Sequence, residues 1–446
     1  MTFYRSFNPA RTLALGFLLV IIVGTVLLLL PMAVRDGVQV SFLSALFTAV
    51  SATTVTGLVV VNTAQTWSLF GLVVILCLMQ IGALGFMSVI TIFFFIMHKK
   101  IGLSQRLLMV QSMNLHDVQG VVKIVRHVLL GTLLFQGLGA LILLSRFAPA
   151  YGFWTGLGLS VFYAVSAFCN AGFDLMPGSF ASLTQYLNDT TATLAVTALV
   201  FIGGLGFFVW EDIWRNRSFK KLHVYSKLVL VSSLWLVILS WVFYFWAERT
   251  NPYTIGNMPT FDALLASLFQ TAMPRSGGLA MMEQASLRGV SQMITVVLML
   301  IGGSAGSTAG GIKNVTITIL ILSAIGTLRG KGKLEVFGRT IPAPQILSAL
   351  SIACLVLALM FVGSISIAFI QPELSFGSVV FEVASAIGTS GLSLGLTPCL
   401  APVSQVIIML FMLFGRVGIM TLGMAVFFNR NKLEKTKRPE TWVMLG

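Results

Sequence analysis

Charged residues are scarce in this chain, and their scarcity argues against most soluble proteins. Of the 446 residues, 14 are Asp or Glu and 28 are Lys or Arg, whereas 57% are hydrophobic. So few charges cannot cover the several water-soluble domains that a chain of this length would otherwise form. A cytosolic enzyme, a disordered regulator and a secreted domain are therefore disfavoured, and the composition predicts a polytopic membrane protein.

Cysteine is also scarce, and the basic residues are dispersed. The four cysteines form neither a disulfide framework nor a CxxC metal site. The formal net charge of +14 would suit a nucleic-acid-binding protein only if the basic residues were gathered on one surface with aromatic residues between them. Here they punctuate apolar runs, so we expect no nucleic-acid partner.

Uncharged runs divide the chain into eight candidate membrane spans, since one crossing needs about 20 apolar residues. The candidates are residues 12–34, 67–98, 127–144, 191–210, 228–247, 290–325, 346–370 and 403–429. Residues 37–98 contain no charged residue, and the centre of this run is rich in Ser, Thr and Gly. We interpret that centre as a re-entrant loop, because such backbone at membrane depth must be buried in protein or line a wet cavity.

A short segment ending in glycine recurs between the two spans of each pair. The four copies are SATTVTG at 51–57, SAFCNAG at 166–172, AMPRSGG at 272–278 and SAIGTSG at 385–391. A Gly-x-x-Gly pattern follows each copy, at 82–85, 203–206, 303–306 and 415–418. One such pattern usually indicates close helix packing, but four in register with four loops indicate an internal fourfold repeat.

The predicted fold is therefore an all-α polytopic membrane protein of four repeats, each with two spanning helices around a re-entrant loop. The repeats occupy residues 1–100, 101–225, 226–328 and 329–446, and they are expected to surround one pore with pseudo-fourfold symmetry. Lys and Arg concentrate before the first span, between repeats and after the last span. Because basic residues accumulate in cytoplasmic loops, both termini are predicted to be cytoplasmic and the loops to enter from outside.

Four equivalent glycines suit the passage of an alkali cation. Backbone carbonyls can replace the water shell of such an ion, and glycine adopts the dihedral angles that turn carbonyls toward a shared axis. The predicted selectivity-filter and cation-binding residues are Thr54, Val55, Thr56, Gly57, Asn170, Ala171, Gly172, Ser276, Gly277, Gly278, Thr389, Ser390 and Gly391. We expect the ion to bind at Gly57, Gly172, Gly278 and Gly391, and the resemblance described below implies that this ion is K⁺.

Two further features suggest control of the pore. A run of small residues interrupts the span at 290–325, and helix is not expected to persist there because each Gly costs about 1 kcal/mol relative to Ala. Arg416 interrupts the last span, so it should face a cavity or a partner; a structural arginine satisfied by helix carbonyls is the alternative. The predicted gate residues are Gly302, Gly303, Ser304, Ala305, Gly306, Ser307, Thr308, Ala309, Gly310, Gly311, Lys313 and Arg416.

These motifs resemble the Trk/Ktr/HKT superfamily of potassium transporters. The resemblance lies in the SA-x-x-x-x-G loops, in GGSAGSTAGGIK at 302–313 and in FGRVG at 414–418. With eight spans the chain is most similar to the Ktr membrane subunit, which implies a channel-like K⁺ pore driven by the electrochemical gradient, often with Na⁺ dependence. It also implies that Gly57 favours K⁺, that residues 302–311 form an intramembrane gate and that Arg416 is a barrier below the filter.

The resemblance further implies a homodimer in the bacterial plasma membrane that sits on a cytosolic ring of nucleotide-binding subunits. ATP, ADP or NAD(H) is then expected only on that partner, and this chain carries K⁺, and possibly Na⁺, but no cofactor. The third loop departs from the family pattern, because Gly277 and Leu279 stand where Ala and Phe are usual.

Two rival functions remain at this point. A Na⁺-permeable or proton-coupled cation carrier is one alternative, although a proton-coupled carrier should show paired carboxylates within its spans. A membrane-embedded enzyme or lipid-handling protein that uses the polar loops as a site is the other, and it would need an acid–base or metal pair at bilayer depth. The charged candidates at that depth are Arg275, Glu382 and Arg416, with no histidine beside them.

Overall fold

The computed structural model describes residues 9–85, 121–176, 182–187, 189–330 and 332–418, and these residues are mostly helical. The helices are, in chain order, α1 Pro9–Leu28, α2 Phe42–Thr54, α3 Thr63–Thr66, α4 Leu69–Leu84, α5 Val121–Tyr151, α6 Phe153–Cys169, α7 Thr190–Leu205, α8 Phe207–Asn216, α9 Val224–Glu248, α10 Thr260–Ala272, α11 Gly289–Leu300, α12 Asn314–Leu328, α13 Ala343–Ile370, α14 Phe376–Gly388 and α15 Pro402–Val417.

Three helices of the described residues are long and apolar enough to cross a bilayer. They are Val125–Tyr151 within α5, α9 and α13. Their outer faces carry large exposed apolar side chains, such as Leu133 on α5 and Phe361 on α13, as expected of helices whose solvent is lipid. The helix that precedes the first loop, α1, is a shorter apolar helix over its described part.

The helices that follow the loops are shorter than the predicted spans. Helix α7 ends at Leu205, and α8 leaves it at an angle of 91°, so the segment predicted as a span over 191–210 is bent within its length. The span expected over 290–325 is also interrupted, because α11 and α12 are separated by residues 301–313. Residues 86–98 and 419–429, which complete two other predicted spans, lie outside the described residues.

Local sequence explains where several of these helices begin. Ser41 accepts a hydrogen bond from the backbone N–H of Ser44 at the start of α2, and Ser68 accepts one from Gly71 at the start of α4. Asp189 accepts hydrogen bonds from Thr191 and Ala192 at the start of α7. These side chains satisfy N–H groups that have no partner within the helix.

A short β-hairpin is an exception to the predicted all-α fold. Strands β1 Leu334–Val336 and β2 Arg339–Ile341 pair in antiparallel register. Phe337 and Gly338 between them both have positive φ, which is the conformation of a two-residue hairpin turn. The alternating residues and the central glycine of LEVFGRTI carried this signal, which the helical interpretation missed.

The buried core surrounds four short helices, α2, α6, α10 and α14. Each contributes at least one phenylalanine that is completely or almost completely buried, namely Phe47 on α2, Phe162 and Phe168 on α6, Phe269 on α10 and Phe381 on α14. The last turns of all four helices are buried. Their C-terminal ends, which carry the negative end of the helix dipole, therefore lie in the interior of the molecule.

Candidate functional site

The glycines that follow the four short helices lie next to one another. A Cβ atom built on Gly57 would lie 2.4 Å from the carbonyl oxygen of Ala171, and one built on Gly172 would lie 2.8 Å from the Cα of Gly278. A Cβ atom on Gly278 would lie 2.5 Å from the oxygen of Ser390. The corresponding atom on Gly391 would lie 2.2 Å from the oxygen of Thr56, which closes a ring in chain order.

The four loops share two positions with positive φ. Two residues before each glycine the chain is left-handed, with φ of 58° at Val55, 58° at Asn170, 70° at Ser276 and 46° at Thr389. The four glycines also have positive φ. A left-handed β-branched residue such as Val55 is strained, and strain of this kind concentrates at functional sites. The surroundings therefore hold each loop in a shape that the isolated chain would not prefer.

Two serines attach their loops to the preceding helices. The backbone N–H of Gly57 donates to Ser51 Oγ at 3.0 Å, and that of Gly391 donates to Ser385 Oγ at 3.1 Å. Ser166 occupies the same position in the second loop, but its hydroxyl donates to the carbonyl oxygen of Phe173. The equivalent serine thus supports the chain on the other side of Gly172.

The third loop differs from the other three, as its unusual sequence suggested. Residues Met273–Gly277 form a wide π-type turn, and the hydroxyl of Ser276 donates to the carbonyl oxygen of Gly388 at 3.1 Å. The side chain of Arg275 is buried, and its Nε has no hydrogen-bond partner among the described residues. Arg275 instead lines a small separate cavity together with Val200 and Gly303.

A cavity of about 300 Å³ opens on one side of the ring. Its floor is formed by Gly57, Gly172, Gly278 and Gly391. Polar residues on its wall include Asp174, Gln284, Ser393 and Thr397. An ion that reached the ring from this side would cross this cavity and pass the side chain of Asp174 in its wall.

Matching pairs of side chains brace the second and fourth loops. Tyr163 on α6 donates to Asp174, two residues after Gly172. Ser393, two residues after Gly391, donates to Glu382 on α14, and Thr397 donates to the same carboxylate at 2.9 Å. The acid lies on the loop in one pair and on the helix in the other. Glu382 stood out in the sequence as a charged residue at bilayer depth, but its partners Ser393 and Thr397 did not.

The Gly-x-x-Gly patterns determine how closely the following helices approach the loops. Cβ atoms built on Gly82, Gly203 and Gly415 would lie 2.0, 2.1 and 2.2 Å from carbonyl oxygens at the ends of α2, α6 and α14. These are the oxygens of Thr53, Phe168 and Ile387. The second glycine of each pattern, at 85, 206 and 418, has positive φ and ends its helix. Each pattern therefore combines close packing with a helix break.

Residues 301–313 form a folded loop on the other side of the ring, as the glycine content predicted. Ile301 and Ile312 pair at its base, and most of its residues are buried. A Cβ atom on Gly310 would lie 2.1 Å from Thr389 Oγ1 in the fourth loop. The hydroxyl of Thr308 donates to the carbonyl oxygen of Phe168, beside the second loop, at 3.2 Å. Lys313 stays within the segment, since its Nζ donates to Ala309.

Arg416 joins three parts of the chain beneath the ring. Its Nε donates to the carbonyl oxygen of Gly82 at 3.1 Å, and Nη2 donates to Ala83 at 2.8 Å. Nη1 donates to the carbonyl oxygen of Thr308. The alternative for Arg416 in the sequence is a structural arginine whose N–H groups donate to helix carbonyls. The structure shows such hydrogen bonds, although one acceptor, Thr308, belongs to the predicted gate segment.

The predicted filter residues are therefore brought together, and the predicted gate residues lie beneath them. The filter residues are buried except for Gly391, which is half-buried. Within the described ranges, no cluster of three or more His, Cys, Asp or Glu residues is placed to hold a metal ion. The oxygens available at the ring are backbone carbonyls and hydroxyls, a donor set suited to a weakly held monovalent cation.

The chain resembles known transport proteins over nearly its whole length. The family described as "TrkH: Cation transport protein" matches residues 12–435. Ktr system potassium uptake protein B from Bacillus subtilis (strain 168) is 39% identical over 440 residues, which cover 99% of this chain and 97% of that protein. Potassium/sodium uptake protein NtpJ from Enterococcus hirae is 37% identical, with coverage of 99% and 98%.

A solved structure has the same fold. The potassium transporter TrkH from Vibrio parahaemolyticus superposes with a TM-score of 0.74, covering 95% of this chain and 86% of that chain, at 17% identity. These relatives are transporters rather than enzymes, so the hypothesis of a membrane-embedded enzyme is set aside.

Proposed function

This chain belongs to the TrkH family of cation transport proteins, and within it we propose that the chain is the pore-forming subunit of a K⁺ uptake system. Potassium uptake is named for the relative from Bacillus subtilis. The ring of Gly57, Gly172, Gly278 and Gly391 is the observation that carries the proposal. It offers backbone oxygens from four loops at one place, and such oxygens can replace the hydration shell of K⁺.

The four loops form the filter, and the predicted repeats arrange themselves around it with pseudo-fourfold symmetry. Support comes from the shared left-handed residue two positions before each glycine. Thr389 also supports the proposal, because its buried hydroxyl has no hydrogen-bond partner among the described residues. This hydroxyl lies between the ring and the segment beneath it. The C-terminal dipoles of α2, α6, α10 and α14 point their negative ends toward the same place and favour a cation there.

Residues 302–311, with Lys313 and Arg416, form the gate. The contacts of Gly310 with the fourth loop and of Thr308 with the end of α6 before the second support this proposal, because they hold the segment against the loops that form the ring. Arg416 acts as a barrier there by holding Thr308 and by adding a positive charge to the inner path. A cation can pass when the segment moves aside.

The oligomeric assembly and the partner are proposed from the family resemblance. We propose a homodimer in the bacterial plasma membrane, with both termini in the cytoplasm and a cytosolic ring of nucleotide-binding subunits that controls the gate. ATP, ADP or NAD(H) would bind that partner rather than this chain. Uptake follows the electrochemical gradient of K⁺ and depends on Na⁺, in keeping with the name of the relative from Enterococcus hirae, a potassium/sodium uptake protein.

Growth rescue tests the proposal. A bacterium that lacks its own K⁺ uptake systems should grow at low K⁺ when it expresses this chain together with a candidate regulatory subunit. Growth should be weaker with either component alone. Membrane insertion of the chain is checked by immunoblotting of the membrane fraction, and an inserted chain that gives no rescue with any partner would count against K⁺ uptake.

Sodium permeation is the second candidate, because the Enterococcus hirae relative is named for both ions. The two functions are separated in proteoliposomes by measuring ⁸⁶Rb⁺ uptake with increasing external Na⁺ or K⁺. A K⁺ pore is inhibited by K⁺ at far lower concentrations than by Na⁺. Equal inhibition by the two ions would favour a Na⁺-permeable carrier.

A further inference from the structure

The tip of the segment at 302–311 is held from outside the segment. Ala305 and Gly306 at this tip are half-buried, whereas the residues on either side of them are buried. The hydroxyl of Tyr225, in the first turn of α9, donates to the carbonyl oxygen of Ala305 at 3.0 Å. The backbone N–H of Phe207, the first residue of α8, donates to the carbonyl oxygen of Gly306 at 2.9 Å.

The two donors belong to one packed unit, which we call the latch and define as Phe207, Phe208, Asp212, His223 and Tyr225. The buried carboxylate of Asp212 accepts the backbone N–H of His223 at 3.0 Å and the side-chain amide of Asn216. The ring of Phe208 contacts those of His223 and Tyr225, with centroids 5.7 and 5.9 Å apart. Helix α8 and the start of α9 are therefore packed against each other.

The chain just before the latch contacts both the segment and the helix that carries the second loop. Just before the bend between α7 and α8, the carbonyl oxygens of Gly203 and Gly204 accept hydrogen bonds from Thr308 and Ser304. Gly203 packs against the end of α6, which carries the second loop. The segment is thus paired along one side with the second repeat, and its tip is fixed by the latch.

From these contacts we propose that Tyr225 is a positioning residue of the gate, which stabilises the closed arrangement by holding Ala305. The inference rests on the proposed function, in which residues 302–311 close the pore. The hydroxyl lies on a helix outside the segment, so its bond is lost when the tip moves away. Exposed basic residues surround the latch, namely Arg215, Arg217, Lys220 and Lys221, and they offer a binding surface to a cytosolic protein. If such a protein displaces α8, the hydrogen bonds from Tyr225 and Phe207 to the segment are lost together.

Replacing Tyr225 by Phe removes one hydroxyl and keeps the ring. A single intramolecular hydrogen bond that exists only in the closed arrangement corresponds to a change of about 2- to 12-fold in the closed-to-open ratio. We therefore expect Tyr225→Phe to raise partner-free ⁸⁶Rb⁺ flux in proteoliposomes by that factor. The preference for K⁺ over Na⁺ should stay unchanged, because the filter is intact.

Tyr244→Phe is the matched control. Tyr244 lies on the same helix, and its hydroxyl pairs with Thr295 Oγ1 at 2.7 Å, away from the segment. This variant should leave partner-free flux at the wild-type value. An equal rise in both variants would mean general loosening of α9 and would overturn the proposal, as would wild-type flux in Tyr225→Phe.

Solvent access to the tip gives a readout that does not depend on transport. Ala305→Cys, in a background that lacks Cys77, Cys354 and Cys399, should react with a water-soluble maleimide about 2- to 12-fold faster when Tyr225 is Phe. If wild-type protein fails to transport K⁺ but this acceleration occurs, the result contradicts the proposed K⁺ uptake and supports the positioning role of Tyr225. If transport is normal and the labelling rate does not change, the result contradicts the role of Tyr225 and leaves the proposed K⁺ uptake supported.

Discussion

At the scale of single residues, the four loop glycines are required for two separate reasons. Each has a positive φ that side chains rarely adopt, and each faces the backbone of the next loop at a distance too short for a Cβ atom. Gly37 shares only the first property, since its φ is +81° but nothing lies within 4 Å of an added Cβ. The chain therefore contains a control that separates strain from crowding.

Gly57→Ser should reduce the preference for K⁺ over Na⁺. The added Cβ would lie 2.4 Å from the oxygen of Ala171, so the second loop must shift and its carbonyls no longer match K⁺. We expect roughly a tenfold loss in the ratio, corresponding to about 1.4 kcal/mol, measured by competition of Na⁺ with ⁸⁶Rb⁺ uptake. Gly37→Ser should keep the ratio, and an unchanged ratio in Gly57→Ser would contradict the role of the ring.

Tyr163→Phe should weaken the second loop. The variant removes the hydroxyl that donates to Asp174 and also accepts the backbone N–H groups of Leu175 and Met176. Because buried polar groups left without partners cost about 1–3 kcal/mol, the loop should lose stiffness, and K⁺ selectivity should fall together with a lower Tm. Tyr244→Phe is again the control. A lower Tm with unchanged selectivity would limit Tyr163 to a structural role.

At the scale of elements, the breaks in the helices that follow the loops are as informative as the helices. Helices α4, α7 and α15 all end at the second glycine of a Gly-x-x-Gly pattern. In the third repeat, the break expands into residues 301–313, between α11 and α12. One position in the repeat therefore ends a helix in three copies and lies in the proposed gate segment in the third repeat.

Deleting residues 304–309 should raise flux in the absence of the regulatory partner. The deletion removes the tip held by Tyr225 and the acceptor of Arg416 at Thr308, while Ile301 and Ile312 remain to close the shortened turn. Partner-free ⁸⁶Rb⁺ flux in proteoliposomes is the measurement, and unchanged K⁺ selectivity shows that the filter is intact. Flux that still requires the partner would contradict the gate assignment.

The sequence predicted these elements unevenly. The alignment of four glycines identified the loops, because the pattern requires only one residue type at a repeated spacing. The bend at Gly206 was missed because a composition-based span ignores positive φ, and the hairpin around Gly338 was missed because a short strand pair is weak within a helical pattern. The bond from Tyr225 to Ala305 joins residues 80 positions apart, and no local signal marks such a contact.

At the scale of the whole molecule, charge and the glycine ring define two sides. Asp174 lies in the wall of the cavity above the ring, whereas exposed basic residues cluster around α8. Since Lys and Arg accumulate on the cytoplasmic side, the cavity should open to the outside and the segment at 302–311 should face the cytoplasm.

Cysteine labelling in intact cells tests this orientation. Tyr253, between α9 and α10, is 83% exposed, so Tyr253→Cys should react with a membrane-impermeant maleimide. Lys220→Cys, beside α8, should react only after the cells are permeabilised. Cys399 must first be replaced by serine, because it is exposed and adjoins the residues that line the cavity. Labelling of Lys220→Cys in intact cells would reverse the proposed topology.

The placement of Arg416 has a consequence for the direction of current. Its guanidinium is shared between carbonyls of the first repeat and the carbonyl of Thr308 in the proposed gate. If the proposed gate opens by withdrawing that carbonyl, the arginine keeps its charge but loses one acceptor, and a positive charge remains at the inner mouth of the pathway. This charge would hinder cations that enter from the cytoplasm more than those that have already passed the filter, so the conductance should rectify inwardly.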